Sequence, residues 1–245
     1  MTAQLHYFLD DRHRIYPVRG ILGYFHLLHD ASRGEAVLID TGFTGEMWLL
    51  RRLLRKLGLG WQDIRAILLT HGHLDHTGHL AEIKGLTGAP IYAHAAEQAH
   101  VNGNYPYRGI SRVCGALESI GRVLLRYRPA AIDEPVSDGD ELPYWNGLRV
   151  VHLPGHTAGH CGFYSSRFDL LFSGDLFASY GALTHVPPAI LNSCPEYIAA
   201  SLQRVAELSP RHIIPNHYFG FDGELHRRKF DTLFRRKLGS RSATL

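Results

Sequence analysis

The sequence feature that most constrains this chain is a short cluster of side chains that bind metals. Residues 70–76 read THGHLDH, so three histidines and one aspartate lie within six consecutive positions. Imidazole nitrogens and carboxylate oxygens are the ligands that suit zinc and similar divalent ions. One short segment therefore offers the ligands of a metal site.

The spacing inside the cluster predicts two groups of ligands. The apolar run at residues 66–69 precedes it and is typical of a buried strand. Because side chains alternate along an extended chain, His71 and His73 should point in the same direction. A turn after His73 would direct Asp75 and His76 to a second point nearby. Two diverging ligand pairs are the arrangement that a two-metal centre requires.

The same pattern, an apolar strand followed by a ligand-type residue, recurs further along the chain. Loops at the ends of packed strands bring distant residues together at one site. Asp40 follows an apolar strand at residues 36–39, and two roles are open for it: a metal ligand or, as the favoured interpretation, a buried carboxylate that orients a ligand histidine. The other predicted strands lie at 148–153, 170–172 and 212–214, and they precede His156, Asp175 and His217.

The remaining segments predict a layered α/β fold, because strands occur in runs with helices around them. A helix is expected from Thr44, as its N-cap, to Leu57, with Gly58 as its end. Residues 105–135 are rich in arginine and are predicted to form a helical insertion that acts as a lid. Its arginines could meet an anionic substrate group or form a solvated helix face, and the second interpretation is favoured.

Composition narrows the class of protein. The chain has 245 residues, is 45% hydrophobic and carries a net charge of +3, which is ordinary for a globular protein and gives no case for a nucleic acid partner. Three scattered cysteines form neither a disulfide framework nor a metal clip. No secretory signal and no run of membrane-spanning length is visible. A cytoplasmic location without a membrane partner is therefore expected.

Five short motifs occur in an order that resembles the metallo-β-lactamase-fold hydrolase superfamily. They are DTG at 40–42, THGHLDH at 70–76, PGHT at 154–157, SGD at 173–175 and PNH at 215–217. The resemblance implies an α/β fold of the αββα sandwich type, with two mixed β-sheets and helices on the outer faces. It also implies that residues 1–245 form a single domain of this kind.

The resemblance further implies two divalent metal ions, with zinc favoured and iron or manganese as alternatives. Asp40 would lie behind the ligands. The first ion would be held by His71, His73 and His156, the second by Asp75, His76 and His217, and Asp175 would bridge both.

The expected chemistry is attack on an ester, lactone or thioester carbonyl of a small-molecule substrate by a metal-bound hydroxide. Binding to metal lowers the pKa of water towards about 7, so a nucleophile exists at neutral pH. Asp75 is expected to assist proton transfer. Tyr180 or Tyr218 could donate a hydrogen bond to the developing oxyanion, and the alternative for each is an aromatic ring packed near the site.

Asp175 makes the chain more similar to the glyoxalase II, lactonase, thioesterase, phosphodiesterase and oxidoreductase-domain branches than to the β-lactamases, so a β-lactamase is the less favoured function. The tyrosine that acyl-homoserine lactonases carry three residues after the bridging aspartate is absent, since this position is Ala178. The substrate therefore stays open. The alternatives are a phosphodiesterase, in which the arginines of the insertion would hold phosphate, an iron-dependent oxidoreductase, and a non-catalytic metal-binding module.

The other histidines are expected to be satisfied polar residues rather than ligands. His185, in the segment after Asp175, is a candidate for the wall of the pocket. The oligomeric state stays open, with a homodimer as one option. The histidines expected to be satisfied are His79, His94, His100, His152 and His160.

Overall fold

The computed structural model describes residues 7–239 and consists of two β-sheets packed face to face with helices on both outer faces. This four-layer arrangement confirms the predicted αββα sandwich with mixed sheets. None of the helices within the described residues has both the length and the apolar character of a membrane span.

The first sheet has seven strands that lie in the order in which they occur along the chain. Strands β1 to β4 pair antiparallel, and β4 to β7 pair parallel. Their bounds are β1 (Tyr7–Phe8), β2 (His13–Arg19), β3 (Tyr24–Asp30), β4 (Glu35–Ile39), β5 (Ile64–Leu68), β6 (Ile91–His94) and β7 (Glu134–Val136).

The second sheet has five strands in the order β14-β11-β10-β9-β8, and only the β11–β14 pair is parallel. A separate antiparallel hairpin of β12 and β13 follows the second sheet's β11 in the chain, and no sequence pattern indicated it. The bounds are β8 (Glu141–Leu142), β9 (Leu148–His152), β10 (Cys161–Ser165), β11 (Leu170–Gly174), β12 (Ala178–Tyr180), β13 (Leu183–His185) and β14 (His212–Pro215).

Helices α1 and α3 cover the first sheet, and α6 and α7 cover the second. Helix α1 begins at Met47, so the predicted N-cap at Thr44 is wrong. Gly45 has a φ of 96°, which a helix cannot contain. The bounds are α1 (Met47–Leu57), α2 (Leu74–Thr77), α3 (Leu80–Thr87), α4 (Gln98–Val101), α5 (Arg112–Leu124), α6 (Ile198–Leu208) and α7 (Gly223–Leu238).

Strand alternation produces the layers. In β4, Val37 and Ile39 pack between the two sheets, whereas Ala36 and Leu38 pack against the helices of the outer layer. In β11, Leu170 likewise faces the layer between the sheets. The strands thus contribute apolar side chains to the layer between the sheets and to the layers under the helices.

The parallel pairs fix where those loops meet. Strands β4 and β5 end at one edge of the first sheet, and β11 and β14 end at one edge of the second. Loops that follow neighbouring parallel strands emerge on the same side of a sheet. The residues that follow these strands are therefore close together although they are far apart in the sequence.

Candidate metal centre

The structure brings the predicted ligands together at this edge. The ligand atoms of His71, His73 and His156 lie within 4.8 Å of one another. The ligand atoms of Asp75, His76 and His217 form a second group, and they also lie within 4.8 Å of one another. Asp175 forms a third group with His71 and His76 by the same distance.

Asp175 lies between the two groups. Its Oδ2 is 3.1 Å from His217 Nε2 and 3.5 Å from His76 Nε2, both in the second group. The same oxygen is 3.6 Å from His156 Nε2 in the first group. One carboxylate oxygen therefore faces ligands of both groups, as a bridging ligand must.

The donor atoms of these groups fit divalent cations. His71 Nε2 and Asp175 Oδ1 are buried and have no hydrogen-bond partner within residues 7–239. His73 Nδ1 lies 2.9 Å from His156 Nε2. Buried polar atoms without partners destabilise a fold, and a cation ligated by nitrogen and oxygen would satisfy them.

The rear nitrogens of four of the five candidate ligand histidines are held by neighbouring polar groups, whereas His73 Nε2 is buried without a hydrogen-bond partner within residues 7–239. Such contacts fix the tautomer and the ring orientation of a ligand. His71 Nδ1 lies 3.0 Å from Thr70 Oγ1, His76 Nδ1 2.9 Å from Asp40 Oδ2, His156 Nδ1 3.1 Å from Asn192 Oδ1, and His217 Nδ1 3.0 Å from the Leu22 carbonyl oxygen.

Asp40 occupies the position expected of it, behind His76. Its carboxylate accepts hydrogen bonds from the Thr70 backbone N–H and hydroxyl, each at 2.8 Å, and from Asn216 Nδ2 at 2.6 Å. Asp40 is fully buried and has a φ of 61°, a conformation that costs free energy for a residue other than glycine. The surrounding hydrogen bonds stabilise this geometry.

Opposite charges hold the second group together. Burial by itself would lower the pKa of His217, but the Asp175 carboxylate raises it to about 11. Burial would raise the pKa of Asp175, but His217 and His76 hold it well below its usual range. Asp175 is therefore ionised at neutral pH, which is the form that binds metal, whereas His217 carries a proton that a metal ion would displace.

Glu97 is a residue that the sequence analysis missed. It follows β6, and its two carboxylate oxygens accept the backbone N–H groups of Gly72 and Gly159, both at 2.7 Å. These amides belong to the two loops that carry the first group of ligands. Burial raises the pKa of Glu97 to about 7, although the two amide donors oppose this rise. No local pattern marks such a contact between distant loops.

His160 is a satisfied polar residue, as expected. Its Nδ1 donates to the Leu153 carbonyl oxygen at 2.9 Å, and its Nε2 accepts the Asp175 backbone N–H at 3.0 Å. A Cβ at Gly174 would lie 2.5 Å from His160 Nε2, so this position requires glycine. The ring thereby positions the backbone of Asp175.

A cavity of about 500 Å³ opens above the ligands. Tyr180 and His185 line it, and both belong to the β12–β13 hairpin. The Tyr180 hydroxyl lies 3.0 Å from His217 Nδ1. Tyr180 and His185 are therefore beside the ligands.

Tyr218 is not beside the ligands, and the expectation that it could reach the substrate is corrected. Its side chain is 1% exposed and packs between the sheets. The hydroxyl lies 3.3 Å from His26 Nε2, and the ring stacks on Tyr24 with centroids 4.0 Å apart. The alternative of a packed aromatic ring applies to Tyr218.

The insertion contributes helix α5 to the wall of the cavity. Cys114, Leu117 and Glu118 face it, and one ring nitrogen of His73 lies within 4.8 Å of Cys114 Sγ and a Glu118 carboxylate oxygen. Arg122 turns away from the cavity and donates to the His100 carbonyl oxygen at 2.8 Å. No arginine or lysine among the described residues lines the cavity.

Comparisons with known proteins agree with this geometry. The family model for the metallo-beta-lactamase superfamily matches residues 25–215. A hydroxyacylglutathione hydrolase from Bdellovibrio bacteriovorus is 29% identical over 193 residues, which cover 78% of this chain and 61% of that enzyme.

Two solved structures are similar over most of the chain. The metallo-beta-lactamase family protein TTHA1429 from Thermus thermophilus has a TM-score of 0.75 and 27% identity, and the match covers 96% of this chain and 82% of that one. TTHA1623, solved in a di-iron-bound form, has a TM-score of 0.65 and 27% identity. This match covers 87% of this chain and 98% of TTHA1623.

Proposed function

The chain belongs to the metallo-beta-lactamase superfamily, and we propose that it hydrolyses the ester, lactone or thioester bond of a small molecule with two divalent metal ions. The position of Asp175 Oδ2, within 3.6 Å of histidines from both ligand groups, supports this proposal most strongly. A cavity of about 500 Å³ lies in the range of small-molecule sites.

The residues that would hold the two ions are the seven described above. When bound, the ions supply a Lewis acid for the substrate carbonyl and lower the pKa of a coordinated water towards about 7. His71, His73 and His156 would hold the first ion, and Asp75, His76 and His217 the second, with Asp175 between them.

Asp75 is the proposed proton carrier. It lines the cavity, and its Oδ2 lies 3.4 Å from His217 Nε2. Burial would raise the pKa of Asp75, but His76 and His217 hold it well below its usual range. An ionised carboxylate beside the scissile bond can accept a proton from the attacking water and return it to the leaving group.

Tyr180 is the proposed donor to the developing oxyanion. The Leu22 carbonyl oxygen, 3.0 Å from His217 Nδ1, can only accept, so this nitrogen carries the hydrogen. The Tyr180 oxygen, also 3.0 Å from His217 Nδ1, is then an acceptor towards the ring. Its own hydrogen stays free to point into the cavity, where negative charge develops on the substrate.

Zinc is the proposed metal, because imidazole and carboxylate ligands suit it. Iron is the alternative, since the similar protein TTHA1623 was solved in a di-iron-bound form. Metal analysis by mass spectrometry of the purified protein separates the two. Two zinc ions per chain would support the hydrolase, whereas stoichiometric iron would favour an oxidoreductase.

A phosphodiesterase is less well supported. The sequence argument for it was the arginine-rich insertion, yet Arg122 is engaged with backbone carbonyl oxygens and Arg112 lines a different cavity. No described arginine or lysine would meet a phosphate beside the ligands.

The proposal is tested by assaying an acyl ester, a lactone, a thioester and a phosphodiester side by side with added zinc. Turnover of a carbonyl substrate is expected, and His156→Ala should abolish it. The control is His212→Ala, at the start of β14 and outside the cavity, which should retain activity. Turnover of the phosphodiester alone would contradict the proposal.

A further inference from the structure

The cavity above the ligands is mainly apolar, and apart from the segments that carry the candidate ligands its wall comes from five other parts of the chain. The β2–β3 hairpin, the loop after β4, helix α5 and its end, the segment after Asp175 and a short turn near residue 190 all contribute to it. The side chains that form it include Leu22, Phe43, Leu117, Leu125, Phe177 and Leu191.

The charges in the wall are negative or are already paired. Asp75 and Asp175 are proposed metal ligands. Glu118 is the remaining acid, and it accepts hydrogen bonds from the Leu74 backbone N–H at 2.9 Å and the Tyr107 hydroxyl at 2.8 Å. A carboxylate of a substrate, placed away from the metal ions, would find no arginine or lysine in the described part of this wall.

Two exposed arginines that follow Leu125 closely in the sequence face elsewhere. Arg126 and Arg128 line a different cavity of about 460 Å³ that shares only Leu125 with the first. A carboxylate in the first cavity, away from the metal ions, would lose hydration without gaining an arginine or lysine partner, which is unfavourable. The apolar wall would instead bind methylene groups, each favourable by transfer from water.

We infer that the substrate of this site carries an uncharged, apolar acyl or alkyl chain next to the scissile carbonyl. The inference rests on the proposed hydrolase function and makes its substrate more specific. Glutathione is a tripeptide with two carboxylates, so the apolar wall does not suit its thioesters. The inferred substrate is therefore different from the one in the name of the relative called hydroxyacylglutathione hydrolase.

The first test measures binding rather than turnover, with straight-chain carboxylates that imitate the acid product. Calorimetry on the zinc-loaded protein compares chains of increasing length. Each added methylene should tighten binding about fourfold until the wall is covered, which corresponds to the transfer free energy of about 0.8 kcal/mol per buried CH₂. Affinity that is independent of length would overturn the inference.

The second arm compares each monocarboxylate with the α,ω-dicarboxylate of the same length. The added charge should weaken binding by at least about tenfold. Leu117→Arg, at a position that is 61% exposed, should recover much of this loss. Val123→Arg is the matched control on the same helix, 78% exposed and outside the cavity wall, and should recover none. Equal binding of the two acids by the unmodified protein would overturn the inference.

Hydrolysis rates of two thioesters distinguish a wrong inference about the substrate from a wrong proposal about the hydrolase function. An apolar acyl thioester with an uncharged thiol should be hydrolysed faster than the glutathione thioester of the same acyl group. Faster hydrolysis of the glutathione thioester would overturn the inference and leave the hydrolase function in place. If no carbonyl substrate is hydrolysed, the proposed function fails, and the binding series alone then decides the character of the wall.

Discussion

The Glu118 carboxylate accepts the backbone N–H of Leu74 at 2.9 Å, and this contact joins helix α5 to the turn between two proposed metal ligands. The same carboxylate and Cys114 Sγ lie within 4.8 Å of a ring nitrogen of His73. Arg122 adds contacts from the same helix to the Gly72 and His100 carbonyl oxygens, at 3.3 and 2.8 Å. The insertion is therefore attached directly to the metal-binding loop.

Replacing Glu118 should weaken metal binding. In Glu118→Ala the Leu74 amide loses its acceptor and His73 loses a polar neighbour, so the affinity of the first site should fall about 10- to 100-fold. Glu118→Gln keeps an acceptor for the Leu74 amide, so its metal affinity should fall less than that of Glu118→Ala. Competition with a chromophoric chelator measures the affinity.

The control for this experiment is Ser119→Ala on the same helix. The Ser119 hydroxyl is exposed and donates only within its own helix, to the Gly115 carbonyl oxygen at 2.8 Å. Its loss should leave the affinity unchanged. An unchanged affinity in Glu118→Ala as well would show that α5 does not support the ligand.

Removing the metal should destabilise the fold. A cation present at 100 times its dissociation constant stabilises the folded protein by about 2.7 kcal/mol. For a domain of this size, that corresponds to a melting temperature about 5–10 °C higher. Calorimetry with and without chelator measures the shift. The chelator should lower the melting temperature of His156→Ala by a smaller amount. An unchanged melting temperature of the unmodified protein would argue against a metal centre.

Glu97 should make stability depend on pH. Its pKa is raised from 4.5 to about 7 by burial, so the folded protein holds a proton that the unfolded chain releases in this window. The free energy of unfolding should therefore fall as pH rises from about 4.5 to about 7, on the order of 3 kcal/mol from this group. Urea denaturation across the window measures the fall.

The comparison for Glu97 is a variant that cannot ionise. Glu97→Gln should show a smaller fall over the same window, since its side chain stays neutral. Glu207→Gln, at an exposed position where the carboxylate meets only Gln203, should keep the slope of the unmodified protein. Identical slopes in all three proteins would mean that Glu97 is ionised throughout.

The positions of His71, Asp175 and His217 could be predicted from sequence because each lies within three residues of the end of an apolar strand. Once β5, β11 and β14 are recognised, the residues after them are fixed at the edge of a sheet, and strand position decides where His71, Asp175 and His217 lie. The layers followed from the same alternation of apolar residues. The apolar pattern of the sequence was sufficient to predict the position of a residue wherever that position depends on the end of a strand.

Apart from Asp40, the supporting residues could not be predicted, because their roles depend on contacts between distant segments. Glu97 acts on Gly72 and Gly159, which are 25 and 62 positions away. Asn192 lies 36 positions from His156 and belongs to a segment without a motif. Only the packing of the two sheets brings these groups together, so a linear pattern does not reveal them.

Tyr180 and Tyr218 differ in their position relative to the cavity, and this difference predicts which of them donates a hydrogen bond to the oxyanion. Tyr180 and Tyr218 were equal candidates from sequence, but of the two only Tyr180 lines the cavity. Tyr180→Phe should lower kcat about 100-fold, the usual cost of one oxyanion donor, with little change in zinc content. Tyr218→Phe removes only a hydroxyl 3.3 Å from His26 Nε2, so it should lower stability by about 1 kcal/mol and leave kcat unchanged. Steady-state kinetics and denaturation of both variants measure these effects, and the reverse pattern would assign the donor to Tyr218.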